Sequence, residues 1–503
     1  MKRLAGEVLG AIFEAACSEP YPAAQRHPIF PAPFPLLVAA VCRNWRNVAL
    51  TTPSLWAHIY LDNPSATPAY LQLWTDRSKS RLLHIVISDT LNIATLQVLA
   101  PHAARWRSLL VQLRYYEGIL FVLSPFREVY FPELRSIHLQ SSAHEPMLDV
   151  IGQGYNSLFV HPMPSLKAAR INGMRFQRCI PFLRGLRYLE VSTFAPTREE
   201  MQSLIEACPD LHTLVLPNFS CVSARQAISV GPTTTIGGIP AVAETSGPPR
   251  IEMPSISTFA ISFDFIHRGL ACHCLLPSFF MPHLRHLEIS GDGCTPHLPT
   301  HFSISHHPAL ETLRLHCIDL LKTPGAALAT VFPSIRTLEL VDVGNIRHLD
   351  LCDGEPSKTA SRPPWPHLHR LCIDTPPSSE ILSWLFKTVS ARRAISSSST
   401  HGKQQPIKPF TYVSISPTMF DIYDSTRNAA FDALRTTVEF ECVALEEEGL
   451  VSTMELSDDE DEMWGSSQDD HGPEEDGSAE EDWEEWEDEG DSEEGEEWGE
   501  DGM

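Results

Sequence analysis

A short unit, Pro-x-Leu-x-x-Leu-x-Leu, recurs down the middle of this chain and restricts its fold more than any other feature. Well-formed copies are Pro132-Leu134-Ile137-Leu139, Pro209-Leu211-Leu214-Leu216, Pro254-Ile256-Phe259-Ile261, Pro282-Leu284-Leu287-Ile289, Pro308-Leu310-Leu313-Leu315, Pro333-Ile335-Leu338-Leu340 and Pro366-Leu368-Leu371-Ile373. Weaker copies are Trp106-Leu109-Val111, Leu166-Ala169-Ile171, Leu186-Leu189-Val191 and Phe410-Val413-Ile415, which brings the total to eleven. The closing Leu-x-Leu alternation marks a short strand whose inward residues are buried, and the Leu three residues earlier anchors the turn into it. No single unit of this size can bury such a face. Units stacked side by side form a parallel sheet with a continuous core, the intervening segments making the opposite wall. The expected fold is therefore α/β, a solenoid of parallel strands and helices from about Leu82 to Ile415.

The pattern resembles the leucine-rich repeat, although the Asn usual after the strand is missing from most copies. From Pro254 to Pro366 the copies are about 25 to 33 residues apart, near the regular repeat of ~20 to 29. Helix is expected between strands, for example where Thr197 caps Arg198-Glu199-Glu200-Met201 and the glutamates favour the helix N-terminus. Two stretches, near 219–250 and 391–408, read as insertions without structure of their own, one rich in Gly, Pro and Thr and the other carrying a serine run.

The first sixty residues have a different period. Leu4, Val8 and Ile12 recur at i, i+4 and i+8, with Leu9 and Phe13 beside them, as on a helix with one broad apolar face. Prolines 20, 22, 28, 31, 33 and 35 then forbid regular helix. A second helix is expected after Pro35, with Leu37, Val41, Trp45 and Val48 on one face. Thr52-Pro53 reads as an N-cap with proline at the first helical position, introducing a last turn that carries Leu55 and Trp56.

Leu4-Ala5-Gly6-Glu7-Val8-Leu9-Gly10-Ala11-Ile12-Phe13, the proline-rich spacer, Val41-Cys42-Arg43-Asn44-Trp45-Arg46-Asn47-Val48-Ala49 and Thr52-Pro53-Ser54-Leu55-Trp56 together resemble the F-box-like family of mushroom-forming fungi. The resemblance covers about the first 60 residues. It departs from the family at Ala5, where Pro is usual, and in the long spacer. It implies a small helical unit that docks on the Skp-type adaptor of a cullin-RING ubiquitin ligase. By the same resemblance the adaptor contacts fall on Leu4, Val8, Leu9, Ile12, Val41, Cys42, Trp45, Leu55 and Trp56. A three-helix cap shielding the end of the repeat array is the competing explanation of the same apolar faces.

Charge divides the chain sharply. The net charge is −26, yet residues 455–503 hold 26 of the 64 acids and no Lys or Arg, which leaves 38 acids against 38 Lys and Arg elsewhere. Such a tail repels itself and has too little aliphatic content to offset its chain entropy, so disorder is expected over 446–503. Trp464, Trp483, Trp486 and Trp498 lie within it. Acidic and indole groups so interleaved suit a basic protein partner and disfavour nucleic acid. The domains expected are thus 1–61, helical and F-box-like, 62–445, the solenoid, and 446–503, the tail.

Twelve scattered cysteines suit reduced thiols and a cytoplasmic or nuclear location better than a disulfide framework. Glu7 and Glu14 interrupt the apolar core that a secretion signal would need, and no stretch has the ~18 apolar residues of a membrane span. Cys272-His273-Cys274 with His283 and His286 invites a zinc reading, but no pair has Cys-x-x-Cys spacing and the two histidines occupy variable positions of a repeat strand. Nucleophile elbow, phosphate-cradling glycine loop and His-Glu-x-x-His are all missing, so neither catalysis nor a cofactor or metal is expected. The function that the resemblance implies is substrate recognition in an SCF-type ligase, with an unknown protein substrate on the solenoid, adaptor and cullin as partners, and no membrane partner. A non-ligase repeat scaffold that binds basic proteins such as histones through its tail is the other reading.

Overall fold

The computed structural model describes residues 5–18, 34–61, 67–88, 93–142, 157–174, 178–192, 197–217, 219, 250–263, 275–291, 301–302, 307–320, 325–349, 351, 365–398, 408–426 and 428–443. Leu4, the 446–503 tail, Cys272-His273-Cys274 and most of the two expected insertions lie outside them.

The repeat unit becomes a turn followed by a strand. In Met253-Pro254-Ser255-Ile256 the Ile256 N–H donates to the Met253 carbonyl, and the same i to i+3 bond closes Met281 to Leu284, His307 to Leu310 and Trp365 to Leu368. Proline therefore stands at the second position of a β-turn, where its fixed φ matches the φ required. The residue before it is a further buried position, filled by Met253, Met281, Phe332 or Trp365. The anchor that closes the turn is buried too, and the strand leaves from there.

Among the described residues fourteen strands form one sheet. They are β1 (His58–Leu61), β2 (Leu83–Ile87), β3 (Trp106–Leu113), β4 (Ser136–Ser141), β5 (Ala168–Asn172), β6 (Tyr188–Ser192) and β7 (Thr213–Leu216), followed by β9 (Thr258–Ser262), β11 (His286–Ser290), β12 (Thr312–His316), β13 (Thr337–Val341), β14 (Arg370–Asp374), β15 (Tyr412–Ile415) and β16 (Glu439–Cys442). Each pairs in parallel with the next of this series, while β8 (Ile251–Glu252) and β10 (Phe279–Phe280) form a separate parallel pair. Register places like on like: Leu287 lies opposite Leu313, which lies opposite Leu338. All three have no exposed surface, so parallel leucine rows fill the inner face. Helices and 3-10 turns return the chain between strands, among them Arg198–Ala207, which opens with the expected Thr197–Glu200 capping box.

Among the described residues all eleven units supply strands of the large sheet, and three more of its strands, β1, β2 and β16, lie outside the units. Trp56, Ile59 and Leu61 have the spacing of Trp106, Leu109 and Val111, so Trp56 is the anchor of the first unit with an indole in place of leucine. The sheet therefore begins inside 1–61, at His58. The stretch near 391–408 is also corrected in part, because residues 391–398 close a 20-residue helix, Ser379–Ser398. Arg392 on that helix is buried and donates to the carbonyls of Leu351, Trp365, Leu368 and Lys408, while its guanidinium lies 4.9 Å from the Phe410 ring centre. A fully buried cation needs such donation to every side. This side chain fastens the helix to the turn before β14.

The second N-terminal helix is two helices. α1 (Gly6–Ser18) is followed by α2 (Phe34–Val41) and α3 (Arg43–Thr51), broken at Cys42, whose extended backbone lets its sulfur accept the Trp45 N–H at 3.4 Å. Arg46 Nε bridges the break by donating to the Ala39 carbonyl at 2.8 Å. Thr52 does not cap the 3-10 turn Pro53–Trp56; its hydroxyl donates back to the Val48 carbonyl. Leu9, Phe13, Val38, Ala49, Leu55 and Trp56 belong to the same continuous apolar core as the sheet. Among the described residues no helix is long and apolar enough to cross a membrane.

Candidate interaction surfaces

α1 meets α3 through glycines. A methyl group on Gly6 would stand 3.7 Å from Val48, and one on Gly10 3.5 Å from the Thr52 hydroxyl, so the helices lie close along this line. Leu9 and Phe13 extend the same face into the core, where the Phe13 ring meets Trp45 edge-on at 5.1 Å and Phe34 at 6.2 Å. The remaining face of α1 carries Val8, Ala11, Ile12 and Ala15, spaced i, i+3, i+4 and i+7 and all exposed. Val8 is 48% and Ile12 49% exposed. An apolar stripe that no described residue covers is the pattern of a helix that meets a partner.

The residues assigned to adaptor contact separate into two sets. Val8 and Ile12 share the open stripe of α1, and Val41, at 60% exposure, stands beside exposed Cys42 at the break between α2 and α3. Trp45 is half-buried. Leu9, Leu55 and Trp56 are corrected, since they are 3%, 1% and 0% exposed and have no surface to offer. Trp56 shows why. As a repeat anchor it packs edge-on against Trp74 at 4.8 Å, donates its indole N–H to the Ala49 carbonyl at 2.9 Å and lies 4.3 Å under the Arg77 guanidinium. It joins the helices to the sheet. Leu4 lies outside the described residues.

A second surface is the outer face of the sheet, built from the residues that alternate with the inward ones, such as His286, Glu288 and Ser290 of β11 and His84 and Val86 of β2. Neighbouring strands bring these into rows, so charges meet across the ladder: Arg170 pairs with Glu190 at 3.0 Å, and Arg314 faces Glu339 at 3.9 Å. Burial raises the Glu190 carboxyl above its ordinary range, against the pull of Arg170 and of the Tyr188 hydroxyl, which donates to it at 2.8 Å. Burial, and then Arg170, push His138 down to about 4, and burial with Arg314 does the same to His286. At neutral pH both rings are uncharged. In the middle of the row Val215 and Ala260, packed by Tyr188, form a small apolar spot between buried Glu190 and buried Glu288. The face thus offers fixed hydrogen-bonding and charged groups, suited to contact with another protein.

Of the cluster weighed for zinc, His283 is exposed and His286 sits on β11, and the other three residues lie outside the described ones. A different group does converge. His316, Cys317 and Asp342 bring ligand atoms within 4.8 Å of one another, a set with no short-range sequence signature because Asp342 lies one repeat further on. None of the seven described cysteines is in a disulfide. Compared with models of known protein families the chain matches none, and a search of curated proteins finds none that matches it.

Proposed function

We propose that the chain is the substrate-recognition subunit of an SCF-type cullin-RING ubiquitin ligase, holding a Skp-type adaptor with its N-terminal helices and a protein substrate on the outer face of a leucine-rich-repeat-like solenoid. The observation that carries the reading is the open stripe Val8, Ala11, Ile12 and Ala15 on a helix whose other face is already committed to α3 and the core. An adaptor contact on that stripe leaves the core undisturbed. The adaptor surface that follows is Val8, Ile12, Val41 and Cys42 with Trp45 at its edge, while Leu9, Leu55 and Trp56 hold the helices in place behind it. Strands in sequence order with buried leucine rows support a solenoid, since that is the order stacked repeats produce.

A second reading is supported by the unbroken core: helices that share their packing with the first strands also serve as an end cap. In that case the chain is a repeat scaffold, and its acidic, tryptophan-bearing tail binds basic proteins such as histones. Affinity capture on the full chain from a fungal lysate, read by mass spectrometry, separates the two. Adaptor with cullin supports the ligase subunit, and basic proteins captured without them support the scaffold.

A further inference from the structure

From the ends of β12 and β13 we infer a binding site for one divalent transition metal of the zinc class, with His316, Cys317 and Asp342 as its protein ligands. His316 is the last residue of β12 and is 5% exposed. Its Nδ1 lies 3.1 Å from the hydroxyl of Ser290, its partner in register on β11. With Nδ1 engaged there, Nε2 is left as the coordinating atom, the arrangement in which metal-bound histidines are usually held. Nε2 lies 3.4 Å from Cys317 Sγ. In a tetrahedral zinc site with bonds of roughly 2.0 to 2.1 Å to nitrogen and 2.3 Å to sulfur, those two atoms stand about 3.6 Å apart. The pair is already close to that spacing.

The third ligand arrives through the repeat. The Cys317 N–H donates to the Val341 carbonyl, which places the turn after β12 directly beside the turn after β13, where Asp342 follows. Both residues have left-handed backbone, φ 50° at Cys317 and 48° at Asp342, at the position where the preceding strand β11 has Gly291 at φ 84°. Where glycine is favoured by the backbone, this chain carries a thiol and a carboxylate. Asp342 is exposed, so its carboxylate has room to close on the His316–Cys317 pair. One imidazole, one thiolate and one carboxylate form a donor set for zinc rather than for magnesium or calcium, and three protein ligands leave a fourth position for water. Bound metal ties β12 to β13 across their C-terminal ends.

The test uses the full chain with Co²⁺ as a spectroscopic probe and Zn²⁺ as its competitor. One Co²⁺ per chain should bind with tetrahedral d–d bands and a thiolate-to-cobalt charge-transfer band, both removed by Zn²⁺. Cys317→Ser should abolish the charge-transfer band. Asp342→Asn, at an exposed position, should weaken binding with circular dichroism unchanged, and Ser290→Ala, which removes only the hydroxyl beside Nδ1, should cost roughly 10- to 100-fold in affinity. Carboxylates of the acidic tail give no thiolate band and so cannot imitate the site. A wild-type chain without that band, or a Cys317→Ser chain that keeps it, overturns the proposal.

Discussion

Leu313 offers the sharpest test of how the sheet is held together. It lies on the inner face of β12, in register between Leu287 and Leu338, and has no exposed surface. Leu313→Ala removes three carbon atoms, worth about 0.8 kcal/mol each in transfer from water, or about 2.4 kcal/mol together. The walls of the resulting cavity are hydrogen-bonded strands that cannot collapse freely, so the total should reach about 3 to 4 kcal/mol. Leu313→Asp places an unpaired charge in the same site and should unpair β12 from its neighbours altogether. Thr312→Ala, one residue away on the outer face, should stay within about 0.5 kcal/mol. Urea titration followed by circular dichroism gives the three values, and hydrogen exchange of the β11 and β13 amides locates the damage. A Leu313→Ala cost below about 1 kcal/mol, or one smaller than that of Thr312→Ala, would refute the inward placement of the leucine rows.

Three further outcomes follow. Gly185→Ala and Gly291→Ala both put alanine at positive φ, 81° and 84°, but only at Gly291 would the new methyl lie 2.5 Å from the Phe263 carbonyl oxygen; in the same titration the first should cost about 1 kcal/mol and the second clearly more. His138 and His286, held at about 4 in the fold against 6.5 unfolded, bind fewer protons folded than unfolded between those values. Their contribution should be complete above about pH 6.5 and fall progressively as pH is lowered toward 4, and urea midpoints unchanged across that window would contradict it. Deletion after Val451 removes the tail from a body of balanced charge, so the thermal midpoint should hold while low-salt binding to polylysine disappears; binding that survives rules the tail out as the docking arm.

Eleven strands were legible because an anchor and an alternating apolar pair stand at the repeat spacing, which fixes the buried face; β2 falls inside the expected solenoid but outside those units, with Leu83, Ile85 and Ile87 inward. β1 and β16 were missed for different reasons. At β1 the anchor is Trp56, an aromatic residue inside a segment read as helical, although Trp106 performs the same task fifty residues later. At β16 only Phe440 and Cys442 alternate, on a mostly exposed edge strand with Thr437 where the anchor should be. The helix break at Cys42 had no proline or glycine to announce it. On the N-terminal helices the apolar positions are legible but not which of them face out: Val8 and Leu9 are neighbours with opposite burial, and packing of Gly6 and Gly10 on α3 decides between them. His316, Cys317 and Asp342 were invisible because their proximity depends on strand register.

The central claim is adaptor binding by the open face of α1, and calorimetry of the full chain against a Skp-type adaptor tests it most directly. The wild-type chain should form a one-to-one complex. Val8→Asp with Ile12→Asp, both at exposed positions, should leave the circular dichroism spectrum unchanged and weaken the complex by roughly a hundredfold or more, about 2.7 kcal/mol. No measurable binding by the folded wild-type chain, or binding that the double variant leaves intact, would contradict the account.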